Sequence, residues 1–303
     1  MARTVSLVLG GGGARGYAHI GVIEELEKAG FEIVSICGCS MGALVGGIYA
    51  AGNLQAYKEW ALGLDFVNVL SLVDLTLSSG GMIKGERVFE KMAPFFGNKK
   101  IEELPIKFTA VATDLNAKKE VWFQQGDLQT AIRASIAIPT IFTPVYLADR
   151  LLVDGGVLNP LPIAPTMSDH TDLRIAVNLN ASHVRPLRPV SIPKEEIKKQ
   201  DQAVSGFRSL LEKIGFSKNG KPHKAETQEA ASRLDILSRT LDTMQESMTM
   251  YKISGYTTEI LVQIPMESSR NYDFHKAYQM IEIGREAAWK ALDKYETQLK
   301  SVL

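Results

Sequence analysis

The hydrophobic positions fall into short apolar runs punctuated by glycine. Val5 to Leu9 is one such run, of strand length, closed by Gly10-Gly11-Gly12-Gly13. Tyr17 to Ala29 changes period: Ile20, Ile23 and Leu26 recur at helical spacing, and Gly30 supplies the C-terminal stop. Ile33 to Gly38 predicts a second buried strand, Ser40 a sharp turn, and Ala43 to Ala51 a small-residue helix ending near Gly52-Asn53. Strand, glycine loop, helix, strand, turn, helix is the opening of a mainly parallel sheet covered by helices, and so of an α/β protein.

The later pattern extends that reading. Pro105 to Thr113 predicts a central strand and Glu120 to Gln124 its hairpin partner. Asp127 to Ala137 predicts a helix capped by Asp127 and ended before Pro139. Leu151 to Val153 predicts a strand running into Asp154-Gly155-Gly156, and Leu173 to Leu179 another. The apolar stretch Leu62 to Leu77, ended by Ser78-Ser79-Gly80-Gly81, fits a lid or a packed helix pair. From about residue 181 to 256 the chain turns polar and charged, entered through Pro186, Pro189 and Pro193, before a strand at Glu259 to Ile264 and a closing helix from Asp273 to Val302. The expected organisation is one domain over residues 1–303, with a core of about 5–180 and 257–303 and a helical insertion of about 181–256. Within the insertion, Leu237, Leu241, Met244, Met248 and Tyr251 form one helical stripe. It suits packing on the domain or another subunit, or an adaptable surface for acyl chains or a bilayer. Lys194 to Gln200 reads as a solvated helix face.

Composition narrows the classes. With 303 residues, 45% of them hydrophobic, the chain can bury a large core. Lys plus Arg and Asp plus Glu both number 34, so no net field draws in nucleic acid. Cys37 and Cys39, the two cysteines, lie in one apolar stretch and read as reduced thiols. The N-terminal run lacks a small-residue cleavage site, and no stretch reaches the ~18 apolar residues of a membrane span. The expectation is a soluble cytoplasmic protein. Peripheral membrane contact and self-association are both compatible with the sequence.

Chemistry concentrates at two glycine-flanked positions. Ser40, in Gly38-Cys39-Ser40-Met41-Gly42 between strand and helix, has the setting of a nucleophile elbow: Gly38 and Gly42 relieve a tight turn, and the hydroxyl projects at a helix N-terminus. Gly11-x-Gly13-x-x-Gly16 also fits a dinucleotide fingerprint, which requires an acidic residue at the end of the second strand. Ser40 stands there instead, which favours Gly11, Gly12 and Gly13 as an oxyanion hole. None of His19, His170, His183, His223 and His275 sits in a motif, so each reads as a surface or structural residue. Asp154 is different: it follows a buried strand and precedes two glycines, at the sheet edge where active sites gather. A Ser40-Asp154 dyad follows, with a dry pocket needed to raise the basicity of Asp154. Arg15 suits either an ion pair that steadies the loop or a contact with a substrate phosphate. An ordinary α/β-hydrolase fits poorly, because only two strands precede Ser40 and no histidine is well placed.

Gly11 to Gly16, Gly38 to Gly42 and Asp154 to Gly156, in that order, resemble the three motifs of the patatin-like phospholipase family, in particular its bacterial members related to neuropathy target esterase. Gly85-Glu86-Arg87-Val88-Phe89, Ala131 to Ser135 with Ile138-Pro139, and Asn159-Pro160-Leu161-Pro162 are also similar to the family. Gly10 is a departure, since plant members carry an acidic residue there. The resemblance implies a three-layer α/β/α fold and hydrolysis of fatty acyl esters through an acyl-Ser40 intermediate. Asp154 would act as base, with no metal or cofactor. The implied substrates are phospholipids, lysophospholipids or simpler esters. A lipid-binding or regulatory protein of the same fold with little turnover is the alternative.

Overall fold

A computed structural model describes residues 2–64, 86–139, 141–182, 187, 192–193, 196, 233–270 and 273–302. Its strands are β1 (Arg3–Leu9), β2 (Phe31–Cys39), β3 (Lys107–Asp114), β4 (Lys119–Phe123), β5 (Val145–Leu147), β6 (Arg150–Asp154), β7 (Leu173–Ala181) and β8 (Ile260–Pro265). The helices are α1 (Ala18–Lys28), α2 (Met41–Ala50), α3 (Leu54–Gly63), α4 (Glu86–Phe96), α5 (Leu128–Ser135), α6 (Arg233–Gly255) and α7 (Ala277–Val302). β3, β2, β1, β7 and β8 lie side by side and parallel, each neighbour reached by a crossover, while β4, β5 and β6 pair antiparallel.

Alternation along the strands assigns the two faces. Val5, Leu7 and Leu9 of β1 join Ile175 and Val177 of β7 in the main core under α1, α2, α5 and α7. Val8 and Ala176 point the other way, onto Leu161, Ile163 and the end of α6 around Ile253 and Tyr256. The layers are therefore helix, sheet, helix, with most helical mass on one side. α5 begins as its sequence predicts, since the Asp127 carboxylate accepts the Thr130 N–H at 2.7 Å.

Three differences from the sequence pattern have physical reasons. β5 is three residues long and half-exposed, too short for an alternating signal, and exists because β6 offers it an edge. α4, for which the pattern predicted no element, holds Pro94 inside its last turns, where a proline weakens the helical signal. In α6 the predicted stripe is split between half-buried Leu241 and Met248 and exposed Met244 and Tyr251. Met244 is 52% and Tyr251 77% exposed, whereas Thr249 is buried and Ile253 packs on the sheet. Gln245 lies against the Asp154-Gly155-Gly156 turn, its Nε2 2.7 Å from where a Cβ on Gly156 would fall. The apolar stretch 62–77 lies outside the described residues from position 65 onward.

The decisive register is on β3. β4 runs along one edge of it, pairing Ala110 to Asp114 with Phe123 to Lys119. The opposite edge is shared: β2 occupies it up to Cys39 against Val111, and β6 takes over with Asp154 against Ala112. β2 and β6 thus run toward each other and stop at adjacent positions of β3.

Candidate active site

That end-to-end meeting brings Ser40, the residue after β2, to Asp154, the last residue of β6. Both are buried, at 4% and 3% exposure. Ser40 sits at φ 55°, ψ −125°, a left-handed backbone that a non-glycine residue adopts only when its surroundings enforce it. The enforcement is visible in the packing. A Cβ on Gly42 would fall 2.1 Å from the Leu9 carbonyl oxygen, and one on Gly38 would fall 2.4 Å from the Gly42 carbonyl oxygen. Bare backbone at both positions lets α2 start against the end of β1, which turns the chain hard at Ser40.

One short segment braces both residues from behind. Ser135 Oγ accepts the Ser40 N–H at 3.0 Å and donates to the Val111 carbonyl at 2.6 Å. Two residues on, the Ala137 carbonyl accepts the Asp154 N–H at 2.9 Å. Ser135 lies in the stretch Ala131 to Ser135 that the family resemblance picks out, and both residues lie in the predicted helix Asp127 to Ala137. A buried serine at the end of an amphipathic helix carries no recognisable signal of this role.

The Asp154 carboxylate is shaped by opposed influences. Burial dominates and raises its pKa to about 6, while hydrogen bonds from the Ser40 hydroxyl, the Gly156 N–H and the Cys39 thiol favour the charged form. Oδ1 accepts the Gly156 N–H at 2.7 Å and faces Cys39 Sγ at 3.9 Å. Among the described residues Oδ2 has no partner in good hydrogen-bond geometry, so the contact with the Ser40 hydroxyl is a loose one. Catalytic hydrogen bonds are often long or bent before substrate tightens them. Both cysteines are free and buried.

The glycine loop runs past Ser40. A Cβ on Gly11 would come 3.2 Å from Ser40 Cβ. The Gly11 N–H, however, donates to the Pro160 carbonyl at 2.9 Å, and the Gly10 N–H donates to Val177 at 3.1 Å. Gly11 therefore supplies space and not a donor. Gly12 and Gly13 have no carbonyl partner for their N–H groups among the described residues. Arg15 is buried and held by neutral oxygens: Nη1 donates to Ser269 at 3.1 Å and Met266 at 3.4 Å, and Nη2 to Asn180 Oδ1 at 2.8 Å. Of its two readings, the steadying of the loop is the one the geometry displays, through these carbonyl oxygens and the favourable charge of Asp242.

The histidines separate. His19 is buried with Nε2 2.8 Å from the Gly10 carbonyl, and burial lowers its pKa to about 4, so it is neutral at pH 7 and donates to the loop. His170 is exposed and His275 half-buried, while His183 and His223 lie outside the described residues.

A family model for patatin-like phospholipase matches residues 7–167, a stretch that contains the glycine loop, Ser40 and Asp154. The chain belongs to the patatin-like phospholipase family. Among its patatin-like relatives is a Mycobacterium tuberculosis protein named "Uncharacterized NTE family protein", 38% identical over 96% of this chain and 92% of its own length. Human patatin-like phospholipase domain-containing protein 6 is 30% identical over 93% of this chain, which matches 20% of that longer protein. VipD of Legionella pneumophila, a solved structure, aligns over 97% of the chain and 67% of its own, with a TM-score of 0.47 and 15% identity. Membership places this chain in the NTE-related branch and supports lipid acyl hydrolase activity in general. No helix among the described residues is long and apolar enough to cross a membrane.

Proposed function

We propose that this patatin-like protein hydrolyses acyl esters of lipids through a Ser40-Asp154 dyad and an acyl-Ser40 intermediate. The observation that carries the reading is the meeting of β2 and β6 on β3, which sets a strained, buried serine against a buried carboxylate whose pKa is raised to about 6. At pH 7 such a group is mostly ionised, yet a stronger base than an exposed aspartate. It takes the Ser40 proton as the oxygen attacks the acyl carbonyl carbon. The carbonyl oxygen becomes an oxyanion, and the N–H groups of Gly12 and Gly13 receive it. When the ester bond breaks, Asp154 returns the proton to the departing alcohol. Water then attacks the acyl-Ser40 carbonyl, its proton passing to Asp154 and on to Ser40 as the fatty acid leaves. Phospholipids, lysophospholipids and simple carboxylic esters all offer this carbonyl.

The test is hydrolysis of short p-nitrophenyl esters together with fluorophosphonate labelling. Ser40→Ala and Asp154→Ala are each expected to lose at least about 10³-fold in kcat, within the range for members of a catalytic unit, and Ser40→Ala to lose labelling. Full activity in either folded variant rejects the dyad. A wild-type protein that resists labelling would favour a binding or regulatory role instead.

A further inference from the structure

An oxyanion loop works only if its peptide planes face the right way. In a trans peptide the carbonyl of one residue and the N–H of the next point in opposite directions, so holding the carbonyl from behind aims the N–H forward. Three successive planes of the glycine loop illustrate this. The Gly10 carbonyl is held by His19 Nε2 at 2.8 Å, which sends the Gly11 N–H to Pro160. The Gly12 carbonyl is held by the Arg15 N–H at 3.2 Å, which frees the Gly13 N–H. Between them lies the Gly11–Gly12 plane, with no backbone hydrogen bond among the described residues. Its carbonyl accepts instead from Asn180 Nδ2 at 3.0 Å.

We propose that Asn180 is a positioning residue for the oxyanion hole, holding the Gly11 carbonyl away from Ser40 so that the Gly12 N–H faces the reacting oxygen. This rests on the reading of Ser40 as nucleophile. The amide orientation of Asn180 is determined by its other partner. The Arg15 guanidinium can only donate, and it binds Oδ1 at 2.8 Å, so Nδ2 is left to Gly11. The Asn180 N–H is itself anchored on Asn178 Oδ1 at 2.9 Å. Asn180 and Arg15 are 4% and 3% exposed, so water does not compete for these bonds. The need for such a hold follows from glycine, whose backbone turns over with little steric resistance. A flipped Gly11–Gly12 plane would present a carbonyl oxygen where negative charge develops, exchanging attraction for repulsion. None of this is visible in the three glycine-rich motifs, because Asn180 enters from the end of β7, far away in sequence.

The discriminating variant is Asn180→Asp. Aspartate keeps the shape and pairs with Arg15, so packing is retained, but neither oxygen can donate to the Gly11 carbonyl. With p-nitrophenyl butyrate, kcat is expected to fall about 10²-fold, the effect of losing one oxyanion donor, with KM within about threefold of wild type and no fall in melting temperature. Asn180→Ala, which removes the donor without adding charge, carries the same expectation for kcat. A folded variant with wild-type kcat, or one that changes KM alone, overturns the positioning role. Failure of both variants to fold would mark Asn180 as purely structural and overturn it too. A wild-type protein inert to esters and to fluorophosphonate rejects the nucleophile reading itself, and with it this one, before any variant is compared.

Discussion

Ser135 and Ala137, two residues apart, hold Ser40 and Asp154: the Ser135 hydroxyl takes the Ser40 N–H at 3.0 Å, and the Ala137 carbonyl takes the Asp154 N–H at 2.9 Å. The separation of Ser40 and Asp154 is thereby tied to one short stretch at the end of α5. Ser135 is fully buried and also donates to Val111 at 2.6 Å, so its hydroxyl links α5, the elbow and β3.

Ser135→Ala should therefore leave the Val111 carbonyl without its side-chain donor and the Ser40 N–H without its acceptor. Buried groups stripped of a partner cost about 1–3 kcal/mol. The expected result is a lower denaturant midpoint and, because the strained backbone at Ser40 loses a restraint, a fall of roughly tenfold in kcat, the equivalent of about 1.4 kcal/mol. Urea unfolding and ester hydrolysis on one preparation check both; wild-type kcat would show that the elbow holds its shape without Ser135.

The base should set the acid limb of the pH–rate profile. In the proposed mechanism the rate depends on ionised Asp154, whose pKa burial raises to about 6. Initial rates of kcat/KM from about pH 5 to 8 should rise with an apparent pKa near 6 and level off above it. A profile flat down to about pH 4.5 would mean that a different group carries the proton.

The raised pKa also predicts a stability penalty at the active site. Folding lifts the pKa of Asp154 from 3.8, the value of an exposed aspartate, to about 6. The folded protein thus favours protonated Asp154. Its contribution to stability is greatest below pH 3.8 and is lost as pH rises through 6. Each tenfold change in acidity is worth about 1.36 kcal/mol, so ionised Asp154 costs the fold on the order of 3 kcal/mol at about pH 8. Asp154→Asn keeps an oxygen to accept the Gly156 N–H and removes the charge. It should be inactive yet more stable than wild type at about pH 8, with the difference shrinking toward about pH 4. Neutral His19 becomes charged in acid and destabilises both proteins equally, so it cancels from the comparison. Equal stability of the two proteins in alkaline buffer would contradict a buried, ionised Asp154.

Much of this molecule is legible along the chain. The runs Val5 to Leu9, Ile33 to Gly38 and Leu173 to Leu179 correspond to strands because a parallel sheet buried on both faces demands unbroken apolar stretches. Gly38 and Gly42 announce the elbow because backbone approaching backbone has room for no other residue. Ser40 and Asp154 are conspicuous for the same local reason: each stands at the end of a buried strand, Ser40 just past it and Asp154 as its last residue, and is followed closely by glycine.

What holds the site in working geometry is not local. The meeting of Ser40 with Asp154 depends on β2 and β6 sharing an edge of β3, a pairing between segments over a hundred residues apart. The elevated pKa of Asp154 comes from the burial that this packing creates. Arg15 sits in the glycine loop in sequence, but its partners Ser269 and Asn180 appear only when β7 and the turn after β8 lie beside the loop. Local sequence determined which residues bear reactive groups and which turns can be tight, because those depend on side-chain size and backbone freedom at single positions. Direction, distance and basicity were decided by the tertiary structure, because hydrogen bonds and desolvation act between whichever groups the folded chain brings into contact.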